Sequence, residues 1–261
     1  MSRVVILGSG AAPGVPSLSN GFGDCNPDNP KNIRLRAGTY IELDGVKLLI
    51  DTSPDLRTQL LNSHIRETDA VLYTHVHADH LHGIDDLREI NRITEKAIDT
   101  FASPKNMEYI RLRFDYLLTK EGANINPIYK AALIPHEFEY NKSFIYKGVK
   151  ITPILLEGHN IEVSGYIFND GEVVHVADFH HIKEEDLALI KRQPEVLIMP
   201  LTTPKGTKFH ASMEDLLNYN AQIKPKKMVI NHMASECDYD AIKAQCVGGM
   251  VPAYDGLEIS W

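Results

Sequence analysis

Apolar residues along the 261-residue chain fall into short runs, each closed by glycine, proline or charged residues. The first run, RVVILG over 3–8, ends in glycines and reads as a strand. GTYIELDGVKLLIDT (38–52) is two runs around Asp44-Gly45, the pattern of a tight hairpin. SPDLRTQLLNSHI (53–65) reads as a helix with Ser53 at its N-cap and Pro54 at its first position. DAVLYT (69–74) is a short buried strand, IDDLREINRIT (84–94) a helix and AIDTFAS (97–103) a strand. PKNMEYIRLRFDYLL (104–118) is an amphipathic helix with Pro at its start. Residues 119–141 have weak periodicity and carry Gly, Pro and Asn, which predicts a loop or lid insertion. GVKITPILLEGH (148–159) reads as a strand, and GYIFNDGEVVHVADF (165–179) as a hairpin through Asn169-Asp170-Gly171. KEEDLALIKRQ (183–193) reads as a helix and EVLIMPL (195–201) as a strand. ASMEDLLNYNAQI (211–223) is a helix capped by Ser212 with Asp215 three residues on. KKMVINH (226–232) is another strand, and AYDGLEISW closes the chain. Strands alternating with helices, without a repeat or linker, predict one α/β domain over 1–261, with two sheets covered by helices.

One pattern recurs at the ends of these strands. KLLI stops at Asp51, VLYT at His75, PILLEG at His159, VVHVA at Asp178 and MVIN at His232. Strand ends in an open α/β sheet face the crevice where ligands bind, so five such residues imply one convergent site. The spacing His75-x-His77-x-Asp79-His80 can aim residues 75 and 77 at one cation and 79 and 80 at a second. Imidazole and carboxylate together suit a borderline cation such as Zn²⁺, at about 2.0–2.2 Å. His159 would complete the first site and His232 the second, with Asp178 as the shared anionic ligand that two close cations need. Asp51 is expected to hold an imidazole through its outer N–H. A single strand-end His is more often structural, but the four-residue cluster followed by His, Asp and His in order is specific. His82 lies past the ligand turn and is expected to support it. His175 alternates with apolar neighbours and reads as a core or sheet-face residue. His180 and His181 read as a solvated turn close to Asp178, which keeps a substrate contact open.

Composition narrows the function. The net charge of −8 with 24% charged residues argues against a broad nucleic-acid face, though not against a phosphate substrate drawn by bound cations. No run reaches the roughly 18 apolar residues of a membrane span. The N-terminus reads as a strand rather than a signal peptide. Three cysteines without a CxxC spacing make a disulfide framework unexpected, so the expected location is the cytoplasm. LGSGAAPG lacks the Lys-Ser/Thr of a phosphate-binding P-loop.

THVHADH, with Asp51, His159, Asp178 and His232 following in order, resembles the metallo-β-lactamase superfamily. GSGAAPGVPSL, PKNIRLRAGTYIEL, IDTSPDLRTQLL, HADHLHGIDDLR and YDGLEI resemble its PhnP-type subgroup of phosphoribosyl cyclic phosphodiesterase-like proteins. The resemblance implies a four-layered αββα sandwich with a dinuclear centre at one edge of the sheets. His75, His77 and His159 would hold one ion and Asp79, His80 and His232 the other, with Asp178 bridging. It also places a non-ligand histidine as catalytic acid where His210 stands, although that residue could simply make a helix-entry contact. His210 and Asp79 are the candidate catalytic residues. The expected cofactors are two divalent ions, Zn²⁺ or Mn²⁺, with Fe²⁺ allowed. Proteins of the subgroup can carry a further structural zinc on several cysteines. Only Cys25 is present here, with Ser235 at the matching later position, so no such zinc is expected.

The expected activity is hydrolysis of a small or cyclic phosphodiester, with a small-molecule substrate rather than nucleic acid, no membrane partner and a homodimer left open. Loops 19–24 and 119–141 could wall the pocket. Arg88 could touch an anion or form a surface ion pair. A tRNA 3′-processing ribonuclease would share the ligands but needs a basic arm that this acidic chain lacks. A glyoxalase-type thioester hydrolase would not need His210. A non-enzymatic metal-binding accessory protein is the remaining alternative.

Overall fold

A computed structural model describes residues 1–125 and 129–261. Six strands follow in the first half: β1 (Arg3–Gly8), β2 (Gly38–Leu43), β3 (Val46–Ile50), β4 (Ala70–Leu72), β5 (Ile98–Ala102) and β6 (Leu133–Glu137). Seven more build the second: β7 (Phe144–Tyr146), β8 (Val149–Leu156), β9 (Val163–Phe168), β10 (Val173–His175), β11 (Val196–Pro200), β12 (Lys227–Asn231) and β13 (Met250–Pro252). A last strand, β14 (Leu257–Ser260), returns to the first half and pairs with β1. The two sheets have the orders β14-β1-β2-β3-β4-β5-β6 and β13-β12-β11-β10-β9-β8-β7. In each, four strands pair antiparallel and the remaining pairs run parallel. The halves therefore repeat one topology that no sequence repeat announces. Either half needs only buried apolar runs of the right length, and many sequences supply those.

Alternation within a strand divides the core. Val4 and Ile6 face the second sheet, while Val5 and Leu7 face the helices α1 (Leu56–Asn62), α2 (Ala78–Leu81), α3 (Leu87–Thr94) and α4 (Pro104–Phe114). Three further helices, α5 (Glu184–Leu187), α6 (Met213–Ile223) and α7 (Tyr239–Lys243), belong to the second half. Leu216 and Tyr219 of α6 pack into the core cluster that includes both faces of the second sheet, giving helix, sheet, sheet and helix in layers, as the αββα expectation requires.

The hairpin at Asp44-Gly45 forms with both residues at positive φ (50° and 83°), as a right-twisted two-residue connection demands. Ser212 and Asp215 cap α6 reciprocally. Three expectations need correction. The first helix begins at Leu56, not at Pro54, because the Asp55 carboxylate is drawn to Arg36, accepting from its Nε at 2.8 Å and its other guanidinium nitrogen at 2.7 Å. KEEDLALIKRQ forms a single helical turn, Glu184–Leu187. Within the proposed insertion 119–141, Leu133–Glu137 is a strand paired with β5, so a lid of that extent does not exist. Residues 126–128 of the stretch lie outside the described residues. Among the described residues no helix is long and apolar enough to cross a membrane.

Candidate metal centre

Each strand-end residue anticipated from the sequence arrives at the same edge of the two sheets. Asp51 follows β3, and His75 stands three residues past β4. Asp79 and His80 lie in the single turn of α2, with His77 at its N-cap. His159 follows β8, Asp178 follows β10 and His232 follows β12. Ligand-competent atoms of His75, His77 and His159 lie within 4.8 Å of one another, as do those of Asp79, His80 and His232, and those of His75, His80 and Asp178.

Two of these positions hold non-glycine residues in the left-handed region, Asp51 at φ 63° and His232 at φ 54°. Such conformations cost on the order of 1–3 kcal/mol and persist only when neighbours over-determine them. At Asp51 the backbone N–H bonds Leu72 O at 3.1 Å, while its carboxylate accepts from Thr74 N at 2.7 Å. After His232, Met233 N reaches Ser9 O at 2.9 Å and Ala234 N reaches Thr202 O at 3.1 Å.

A hydrogen-bond chain fixes the imidazoles. The Thr74 hydroxyl donates to Asp51 Oδ2 at 2.7 Å, because a carboxylate can only accept. Its oxygen then accepts from His75 Nδ1 at 3.0 Å. Burial, with the other imidazoles beside it, pushes His75 well below the usual histidine range, so the ring is neutral and Nε2 carries a bare lone pair. That atom faces His77 Nδ1 at 3.1 Å, and His159 Nε2 faces the same nitrogen at 3.2 Å. Burial also lowers His77, and brings His159 down to about 4. Three neutral imidazole nitrogens converging in this way can hold a cation between them. Their spacing matches the roughly 3.3–3.4 Å edge expected from Zn–N bonds of about 2.0–2.1 Å in a tetrahedral site.

The second group has a different balance. His80 Nδ1 donates to Asp51 Oδ2 at 2.7 Å, so its Nε2 points the other way. That nitrogen is buried without a hydrogen-bond partner, although Asp79 Oδ2 stands 3.2 Å from it. Burial alone would lower His80, but the carboxylates of Asp51 and Asp79 outweigh it and push the ring well above its usual range. The pocket thus draws positive charge, which a divalent ion supplies as well as a proton does. His232 Nε2 lies 3.4 Å from Asp79 Oδ2, and its Nδ1 lies 3.4 Å from Asp178 Oδ1 and 3.2 Å from the Thr202 hydroxyl. Burial would raise Asp79 and Asp178, yet the surrounding imidazoles hold both carboxyls below the usual range. Both groups fit divalent cations in donor type, spacing and charge.

His210 comes to the centre from the loop after β11. Its ring lies 5.3 Å from that of His159 and 6.3 Å from that of His232, with ligand-competent atoms of His159, Asp178 and His210 within 4.8 Å of one another. α6 starts three residues later under its own Ser212 cap, so His210 makes no capping contact. The Thr207 hydroxyl instead accepts from the backbone of Phe209 at 3.1 Å and of His210 at 3.2 Å, folding the loop tightly. Burial lowers the His210 ring, against the pull of Asp178.

Other candidates fall outside. His82 is exposed and edges onto Phe114, with ring centroids 5.9 Å apart. Arg88 pairs with Glu89 at 3.5 Å. His180 and His181 are exposed, but their backbone pins the arm that carries His159, through His180 N to Glu157 O at 2.8 Å and Glu157 N to His181 O at 3.0 Å. Cys25 Sγ contacts the buried Arg34 guanidinium at 3.8 Å, and Asn20 donates to Ser235 Oγ at 3.1 Å, which sets the 19–24 loop beside the segment after His232. The supporting roles of Thr74 and Thr202 went unnoticed in the sequence. Thr74, directly between strand and first ligand, was the one with a positional signal.

Comparison with known proteins adds a family match and four individual likenesses. The family model described as Beta-lactamase superfamily domain matches residues 47–233. An octanoyltransferase of Porphyromonas gingivalis is 29% identical over 258 residues, covering 98% of this chain and 51% of that protein. The chain therefore spans about half the length of the curated relative it matches. A crystal structure of a diphosphatase from the PhnP family superposes with a TM-score of 0.87 at 27% identity, covering 100% of this chain and 98% of that one. Zn²⁺-bound PqqB from Methylobacterium extorquens (TM-score 0.75, 20% identity, 99% and 100% covered) and human tRNase Z, short form (0.66, 17%, 99% and 98%), share the fold.

Proposed function

The chain belongs to the metallo-β-lactamase superfamily of metal-dependent hydrolases, and from that premise we propose that it hydrolyses small or cyclic phosphodiesters at a two-metal centre. His75, His77 and His159 would hold one ion and Asp79, His80 and His232 the other, with Asp178 as the carboxylate available to both. Bound there, divalent cations lower the pKa of water and offset the charge that builds on phosphoryl oxygens. The chain's own residues do the rest. Asp51 and Thr74 orient the rings of His80 and His75, so that the Nε2 atom of each faces inward. His210, on the side of His159 and Asp178, protonates the departing alkoxide. An anionic phosphoryl group beside this ring opposes the effect of burial and favours its protonated form.

The observation that carries the reading is a further histidine, His210, whose ligand-competent atom lies within 4.8 Å of those of His159 and Asp178, on a chain similar end to end to a PhnP-family diphosphatase. His210→Ala should cut turnover by roughly 10²–10⁴-fold on a phosphodiester with a poor alkyl leaving group. It should leave an activated aryl diester and metal content nearly unchanged. Equal loss on both substrates would remove the acid role.

One observation favours a second reading. The curated relative is named an octanoyltransferase, which points to acyl chemistry, and an acyl thioester hydrolase could use the same ligands without His210. Parallel assays of a bis-aryl phosphodiester and an acyl thioester separate the two.

A further inference from the structure

Behind the metal centre, between the two sheets, lies a cavity of about 20 Å³ lined by Thr39, Asp51, His175, Asp178, Asn231 and His232 among others. One water needs roughly 10–15 Å³ and two to four polar partners. Besides His80 Nε2, which is turned to Asp79, four buried atoms of the lining residues have no hydrogen-bond partner: Thr39 Oγ1, His175 Nδ1, Asp178 Oδ1 and Asn231 Oδ1. Their residues are at most 6% exposed. An unpaired buried polar atom costs about 1–3 kcal/mol, and four around one small space are too many to be left unsatisfied.

We propose that this cavity is a binding site for a single ordered water that ties the bridging carboxylate Asp178 to Thr39, His175 and Asn231. The donors and acceptors balance. Water donates to Asp178 Oδ1 and Asn231 Oδ1, and accepts from the Thr39 hydroxyl and from a His175 ring N–H. His175 thus has a use that its place among apolar neighbours hid: it is the one polar side chain of β10, turned to the site rather than to the core. Asn231 and Thr39 reach the same space from β12 and β2, so the water joins both sheets behind Asp178. Thr39, His175 and Asn231 are positioning residues. They act on the metal centre through the orientation of Asp178, so the functional part of the inference rests on the two-metal reading.

The experiment has two arms. A crystal structure of the unmodified protein, at a resolution that shows ordered solvent, should contain one water with these four partners. This arm reads the cavity whether or not metal binds, so failure of the two-metal reading is distinguishable from failure of this one. Metal competition against a chelator, with Zn²⁺ or Mn²⁺, is then run on Thr39→Val and Thr39→Ser. Val keeps the volume and loses the hydroxyl, and should weaken binding by about 10–100-fold, as loss of an outer partner of a ligand does. Its metal-free Tm should not fall correspondingly. Ser should restore affinity. A dry cavity would overturn the proposal. So would a Val variant that binds metal as tightly as the parent, a Ser variant as weak as Val, or a loss confined to the metal-free Tm.

Discussion

At position 206 a glycine takes φ 66°, and a Cβ built there would stand 2.8 Å from Ser212 N and 2.9 Å from His210 O. The loop can only close over Thr207 and deliver His210 because that space is empty. Gly206→Ala should therefore act on turnover as His210→Ala does, with slow hydrolysis of poor leaving groups and metal content kept. Atomic absorption on the purified variant, beside its rate on an alkyl diester, checks both halves. Gly206 carries no signal as a sequence letter. The proposed ligands are the opposite case: His75, His159, Asp178 and His232 stood out because each follows an apolar run, and His77, Asp79 and His80 because of their spacing behind His75. Asp51 also follows an apolar run, and its bond to His80 Nδ1 is the role assigned to it. Thr39 and His175 were not, because their use depends on what the opposite sheet brings to face them.

Among the elements, α1 shows how a tertiary contact overrides local preference. Asp55 precedes it and accepts from Arg36 N at 2.9 Å as well as from the Arg36 guanidinium, joining the helix start to the turn before β2. Burial would raise the Asp55 carboxyl, but the Arg36 bonds outweigh it and lower the pKa. A carboxyl lowered by folding contributes stability above its unfolded pKa of about 3.9 and loses it as pH falls below that value. The Tm difference between the parent and Asp55→Asn should thus be constant from pH 6 to pH 8, and shrink below about pH 4. Scanning calorimetry across this range checks it, and a gap that widens on acidification would contradict the pairing. Hairpins at Asp44-Gly45 and Asn169-Gly171 were readable because positive φ selects few residues. Strands β6 and β7, with exposed or half-buried patterns, lacked the apolar run that marks a strand, and α5 forms only one turn of the longer helix its sequence suggested.

For the whole molecule, two seven-stranded sheets of like topology pack face to face, and the strand ends of both supply one centre. His75, His77, Asp79 and His80 come from the first half, and His159, Asp178, His210 and His232 from the second, so neither half holds a complete site. β14 pairs with β1 across nearly the full length of the chain and binds the halves into one unit. The sandwich was legible from the order of strands and helices. Its internal symmetry was not, because topology can repeat while the residues that build it differ. The metal-dependent hydrolase family follows from the match over residues 47–233, and the phosphodiester proposal rests on His210 and the PhnP-family likeness.

That central claim is tested most directly by stripping the protein with chelator and titrating Zn²⁺ or Mn²⁺ back while following hydrolysis of a bis-aryl phosphodiester, with an acyl thioester in parallel. The two-metal reading predicts phosphodiester turnover that rises to a plateau at about two equivalents per chain. A plateau at one equivalent, or thioester turnover with no phosphodiester cleavage at any loading, would contradict it.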